Sequence, residues 1–101
     1  MRAKKVDANH AEIVSHLRGI GWRVHDSSAV GRGFPDLVVA HERTGQVAFV
    51  EVKAGKSPLN ELQRKFRDEW PGAIFVVRSP ADAERQLTLW LLSQVNLKHA
   101  S

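Results

Sequence analysis

Ile13, Val14, Leu17 and Ile20 recur at helical spacing, whereas from Trp22 the chain alternates as a strand does. The pattern predicts a first helix opened by Asp7 or Asn9, with Asn9 and Glu12 at capping-box spacing, and closed by Gly19 and Gly21. Trp22 to His25 reads as a strand, and Asp26 to Gly33 as a loop rich in turn residues. Two apolar runs follow, Asp36 to His41 and Gln46 to Val52. The short turn Glu42-Arg43-Thr44-Gly45 makes them antiparallel neighbours. Ser57-Pro58 predicts the cap and first residue of a second helix with the stripe Leu59, Leu62, Phe66 and Trp70, stopped by Pro71-Gly72. The continuous run Ala73 to Val77 reads as a buried strand. Ser79-Pro80 then opens a last helix lined by Leu87, Trp90 and Leu91.

The expected order is therefore α-β-β-β-α-β-α: an α/β domain with a mixed sheet, helices covering it and an extra C-terminal helix. The crossover through the second helix sets the last strand parallel to the third. At 101 residues the chain is expected to form one domain, residues 1–101, with residues 1–6 and 96–101 as loose tails.

Three charges interrupt this pattern. Along the third strand Val47, Phe49, Glu51 and Lys53 share one face, and Ala48, Val50 and Val52 share the other. Neither face is polar, so Glu51 and Lys53 sit within something buried, where a charge costs several kcal/mol (roughly) unless paired or bound to a metal. Asp36, at the entry of the neighbouring strand, can converge with Glu51 at one end of the sheet. Two carboxylates with water suit a hard cation such as Mg²⁺ or Mn²⁺. Lys53 beside them could orient an attacking water or neutralise charge on a phosphoryl group. That combination suits phosphodiester hydrolysis.

Composition sharpens the choice of partner. A net charge of +4 favours a polyanion, nucleic acid before membrane, and no apolar run approaches the ~20 residues of a membrane span. The absence of cysteine excludes thiolate chemistry and disulfides, and the five histidines show no zinc spacing. No secretory leader is read at the N-terminus, so a cytoplasmic setting is expected. For phosphate contacts, Gly31-Arg32-Gly33 could present backbone amides and a guanidinium, and Ser27 and Ser28 could present hydroxyls. The helix start at Ser57 with Lys56 offers a second grip. Lys4, Lys5, Arg64, Lys65 and Arg67 could widen the footprint. Gly31-x-Gly33 is no dinucleotide fingerprint, since it precedes a strand and lacks the third glycine.

Pro35-Asp36 … Glu51-Val52-Lys53, in this order of elements, resembles the signature of the PD-(D/E)xK nucleases. Gly33-Phe34-Pro35-Asp36-Leu37, Glu51-Val52-Lys53-Ala54 and Leu62-Gln63 resemble the VRR-NUC group within them, and Holliday-junction resolvases share much of the pattern. The resemblance spans roughly residues 9 to 80. It implies a restriction-endonuclease-like core in which Asp36, Glu51 and the Val52 carbonyl hold Mg²⁺ or Mn²⁺, with Lys53 as the catalytic lysine. It further implies that Gln63 stands near the site and that Glu12 could join the metal shell; His16, one turn beyond Glu12, is only its neighbour by helical spacing. The activity implied is a structure-selective DNA endonuclease leaving a 5′-phosphate, acting on junctions, flaps or branches. Stand-alone members of this kind resemble phage or mobile-element resolvases, so a Holliday-junction resolvase working as a homodimer is one case. The competing readings are a flap or branch nuclease, a non-catalytic nucleic-acid-binding module on the same fold, and a small protein-interaction domain.

Overall fold

A computed structural model describes residues 8–100 of the chain. Helix α1 (His10–Gly19) leads into strand β1 (Trp22–Asp26), a 3-10 turn (Ser28–Val30), β2 (Leu37–His41), β3 (Val47–Val52), α2 (Glu61–Glu69), β4 (Ile74–Val77) and α3 (Pro80–Ala100). The strands form one sheet in the order β1-β2-β3-β4, antiparallel across the first two pairs and parallel between β3 and β4. This is the expected mixed sheet. The parallel pair follows from the connection: β3 returns to β4 only by crossing over through α2.

The two faces of the sheet differ. Leu37, Val39, Ala48, Val50, Val52 and Val77 point to one side, where Ile13, Val14 and Leu17 of α1 and Ala83 and Leu87 of α3 complete a closed apolar core. The opposite face carries Phe49 and Glu51 and is covered in part by α2. There Phe34, Phe49, Phe66 and Trp70 form an aromatic group with ring centroids 4.8–6.1 Å apart. Val47, also on this face, is 55% exposed. The charged residues of β3 therefore interrupt the thinner, half-covered face, while the closed core lies behind them. Both edges of the sheet are blunted by side chains. Arg18 Nη2 donates to the Val24 carbonyl at 3.0 Å, and Gln86 Nε2 to that of Val76 at 2.8 Å.

The helix starts depart from expectation at two of three places. Ser79 caps α3 as predicted, accepting from the Asp82 N–H at 3.0 Å. Helix α2 does not begin at Ser57-Pro58 but at Glu61, where Asn60 and Gln63 form a reciprocal capping box, both bonds 2.9 Å. The box satisfies two helix-end N–H groups at once, an advantage Ser57 lacks. Arg78 Nη1 meanwhile holds the carbonyls of Gly55 and Ser57 at 3.0 and 2.7 Å, which keeps that stretch as a loop. At α1, Asn9 occupies the cap position but makes no side-chain cap bond, so the predicted box with Glu12 is not formed. Helix α3 runs on through Ala100, over most of the segment expected as a tail. Residues 1–6, with Lys4 and Lys5, lie outside the described residues.

One ion pair ties α1 to the end of β1. His10 Nε2 lies 2.9 Å from Asp26 Oδ2, and Asp26 Oδ1 accepts from the N–H and hydroxyl of Ser28 at 2.9 and 2.6 Å. Partial burial would raise the carboxyl, but these bonds outweigh it and hold Asp26 at about 2, below its ordinary 3.8. A depressed folded-state value means that the stabilisation is complete above pH 3.8 and is lost as pH falls through about 2. In urea titrations the stability gap between wild type and Asp26→Asn should therefore shrink steadily from pH 4 to pH 2. A gap independent of pH over that interval would remove Asp26 as its source. With the side chain 48% exposed, the effect should be small.

Candidate active site

The β2–β3 hairpin brings the two acids together. The register pairs Leu37 with Val50 and Val38 with Phe49, so one residue further Asp36 stands opposite Glu51. Directly opposed residues project to the same side of a sheet with Cβ atoms about 4.5–5.5 Å apart. Both side chains are buried, Asp36 at 4% and Glu51 at 3% exposure. Lys53, two residues beyond Glu51, falls on the same face at the strand end and is half-buried; its N–H continues the ladder to the Val77 carbonyl at 2.9 Å.

Proline gives this corner its chemistry. Carrying the register one step further sets Pro35 opposite Val52, in a pair that would normally exchange two ladder bonds. Pro35 has no N–H to give the Val52 carbonyl. The Val52 N–H turns to the side chain of Asp36, meeting Oδ2 at 2.9 Å, while the Pro35 carbonyl accepts from the Ser27 hydroxyl at 2.8 Å. Ser27 also donates its N–H to the Asp36 carbonyl at 2.8 Å. The acid is thus fixed from both sides. The Val52 carbonyl receives no ladder donor from Pro35, and together with the Asp36 and Glu51 carboxylates it is the set of hard oxygens that could hold a Mg²⁺ or Mn²⁺ ion.

The approach loop is under conformational constraint. Gly31, Arg32 and Gly33 all have positive φ (68°, 56° and 85°), and Arg32 is the one non-glycine with positive φ among the described residues. Gly33 is buried against the first turn of α2. A Cβ there would lie 2.5 Å from the Leu62 carbonyl oxygen. This contact docks the loop bearing Pro35-Asp36 on the first turn of α2, beside Gln63 in sequence. Gln63 shares its helical stripe with Phe66 and Trp70 and is 6% exposed; its carbonyl oxygen accepts the Asn60 N–H.

Other expected residues fall differently. Glu12 is exposed on α1 and borders a shallow depression with Ala11, Ser15, His16 and Pro80. It does not join the two acids: among the described residues no three of His, Cys, Asp and Glu gather as a metal group. The family resemblance had put it near the site, but the α1 residue that reaches the end of the sheet is Asn9. His16 pairs with Glu84 of α3 at 2.6 Å. Ser27 is buried and holds the backbone, so it offers no hydroxyl to a phosphate, and the Ser28 hydroxyl is engaged by Asp26. Arg32, Lys56 and Ser57 are exposed around the approach, although Ser57 no longer has a helix terminus behind it. Reading the sequence missed Asn9, whose amide Nδ2 donates to the carbonyls of Arg78 and Lys53 at 2.7 and 3.3 Å. The clue was present: strands ending side by side leave carbonyls that need donors.

Comparison with known proteins bears on the same stretch. The family model for the VRR-NUC domain matches residues 2–73. A solved structure described as a VRR_NUC domain superposes with a TM-score of 0.60 at 28% identity, covering 78% of this chain and 89% of its own. No curated protein matches the chain.

Proposed function

The chain belongs to the VRR-NUC domain family, nuclease domains of the PD-(D/E)xK superfamily, and from that premise we propose that it is a divalent-metal-dependent DNA endonuclease selective for branched structures. The observation carrying this reading is the opposition of two buried acids, Asp36 and Glu51, across the hairpin, with Lys53 on the same face. Asp36, Glu51 and the Val52 carbonyl are the residues that would hold Mg²⁺ or Mn²⁺. The ion, when bound, supplies charge stabilisation at the phosphoryl oxygens and lowers the pKa of a bound water. Lys53 orients the attacking water and offers its ammonium to the negative charge that grows on the phosphate. Attack forms a new P–O bond and breaks the P–O3′ bond, leaving a 5′-phosphate and a 3′-hydroxyl that takes up a proton. Gln63, matched to the family's helix glutamine and locked into the α2 cap, holds that helix start beside the loop carrying Asp36, and the exposed Arg32 and Lys56 contact backbone phosphates.

Selectivity for shape fits the described elements, which are all used to build the sheet and the helices that cover it. Junction resolution is the foremost case, since a two-fold dimer would present two sites to two strands. The test is a panel of four-way junction, flap, single strand and plain duplex with Mg²⁺ or Mn²⁺, using Glu51→Ala as control. Metal-dependent nicking of a branched substrate, absent with chelator and in the control, is the expected result. Binding that weakens with salt but no cleavage of any substrate would favour the non-catalytic module instead.

A further inference from the structure

The end of the β3–β4 pair is one rung short. In the parallel ladder Lys53 N–H donates to the Val77 carbonyl, so the next bond would run from the Ser79 N–H to the Lys53 carbonyl. Strand β4 ends at Val77, however, and Ser79 turns away to cap α3. The donor comes from another part of the chain. Asn9 Nδ2, at the start of α1, reaches the Lys53 carbonyl at 3.3 Å and that of Arg78 at 2.7 Å. From the other side, the Arg78 guanidinium holds Gly55 and Ser57, the loop that leaves Lys53.

We propose that Asn9 is a positioning residue for Lys53: its carboxamide supplies the ladder donor that β4 withdraws and so fixes the backbone from which the lysine reaches the acids. This rests on the role given to Lys53 above. It also accounts for the missing cap bond at α1: the carboxamide is turned to the strand-end carbonyls, and its Oδ1 is buried without accepting a helix N–H. A lysine carried on a frayed strand end would sample positions away from the scissile phosphate, and displacements near 1 Å cost about 10²-fold in rate.

Two variants separate this role from helix formation. Asn9→Ala removes the amide. Asn9→Asp keeps the shape and favours a helix start, yet removes both donors. In metal-free protein, amide hydrogen exchange at Lys53 should quicken roughly tenfold in both, with helix α1 still protected. In the metal-loaded enzyme, kcat should fall roughly tenfold to a hundredfold with KM within about twofold. Unchanged exchange at Lys53 in both variants would overturn the proposal. So would faster exchange with undiminished kcat while Lys53→Ala is inactive. If Lys53→Ala itself keeps near-wild-type turnover, it is the role of the lysine that fails, and the exchange result separates that failure from the failure of the Asn9 contact.

Discussion

Glu51→Gln is expected to reduce cleavage by about 10³-fold or more while leaving the protein at least as stable as wild type. Glutamine preserves the volume of a side chain that is 3% exposed, so no cavity opens. It removes a carboxyl group that is buried opposite Asp36 on the adjacent strand, where an ionisable group is costly to bury. Evolution retains such a cost where function requires it. The same substitution should abolish the response to metal. Wild type should melt higher as Mg²⁺ or Mn²⁺ is added, since a ligand at a hundred times its Kd stabilises by ~2.7 kcal/mol, or roughly 10 °C or more in a domain this size. Chelator should reverse the rise. Turnover within tenfold of wild type, or an undiminished metal-dependent rise in melting temperature, would show that Glu51 is not a ligand.

The features behind that prediction were legible in the sequence because they are local. The apolar runs on either side of the four-residue turn Glu42–Gly45 fix the hairpin, and its register sets Asp36 against Glu51. The start of α2 was harder, because two cap signals lie three residues apart. Ser57-Pro58 is the more conspicuous, yet Asn60 with Gln63 satisfies two donors at once and prevails. Asn9 was beyond sequence reasoning, since its partners lie 44 and 69 residues away. Its spacing to Glu12 suggested a cap that tertiary contacts override. Glu12 shows the limit of resemblance: a matched acidic residue on the first helix need not lie on the turn that reaches the sheet, and here it is exposed.

Gly33→Ala should be the most damaging single methyl in the chain. At φ +85° an L-residue is strained by roughly 1–2 kcal/mol, and the added Cβ would lie 2.5 Å from the Leu62 carbonyl oxygen and 2.7 Å from its carbon. Both atoms are backbone inside the first turn of α2, so no side-chain rotation relieves the clash; either the loop or the helix must move. Moving the loop displaces Pro35-Asp36, and moving the helix displaces Gln63 and the aromatic contacts of Phe66 and Trp70. The combined effect is expected to exceed ~3 kcal/mol, a fall in melting temperature of roughly 12–24 °C. Gly31→Ala is the internal control. Its φ is +68°, but a Cβ there meets nothing within 4 Å, so it should lose only the conformational part. Calorimetry on the pair isolates the contact: a Gly33→Ala variant melting within a few degrees of Gly31→Ala would mean that the loop does not dock on α2. Cleavage should follow the same order, because the residue that carries the strain is three positions from Asp36, the proposed ligand.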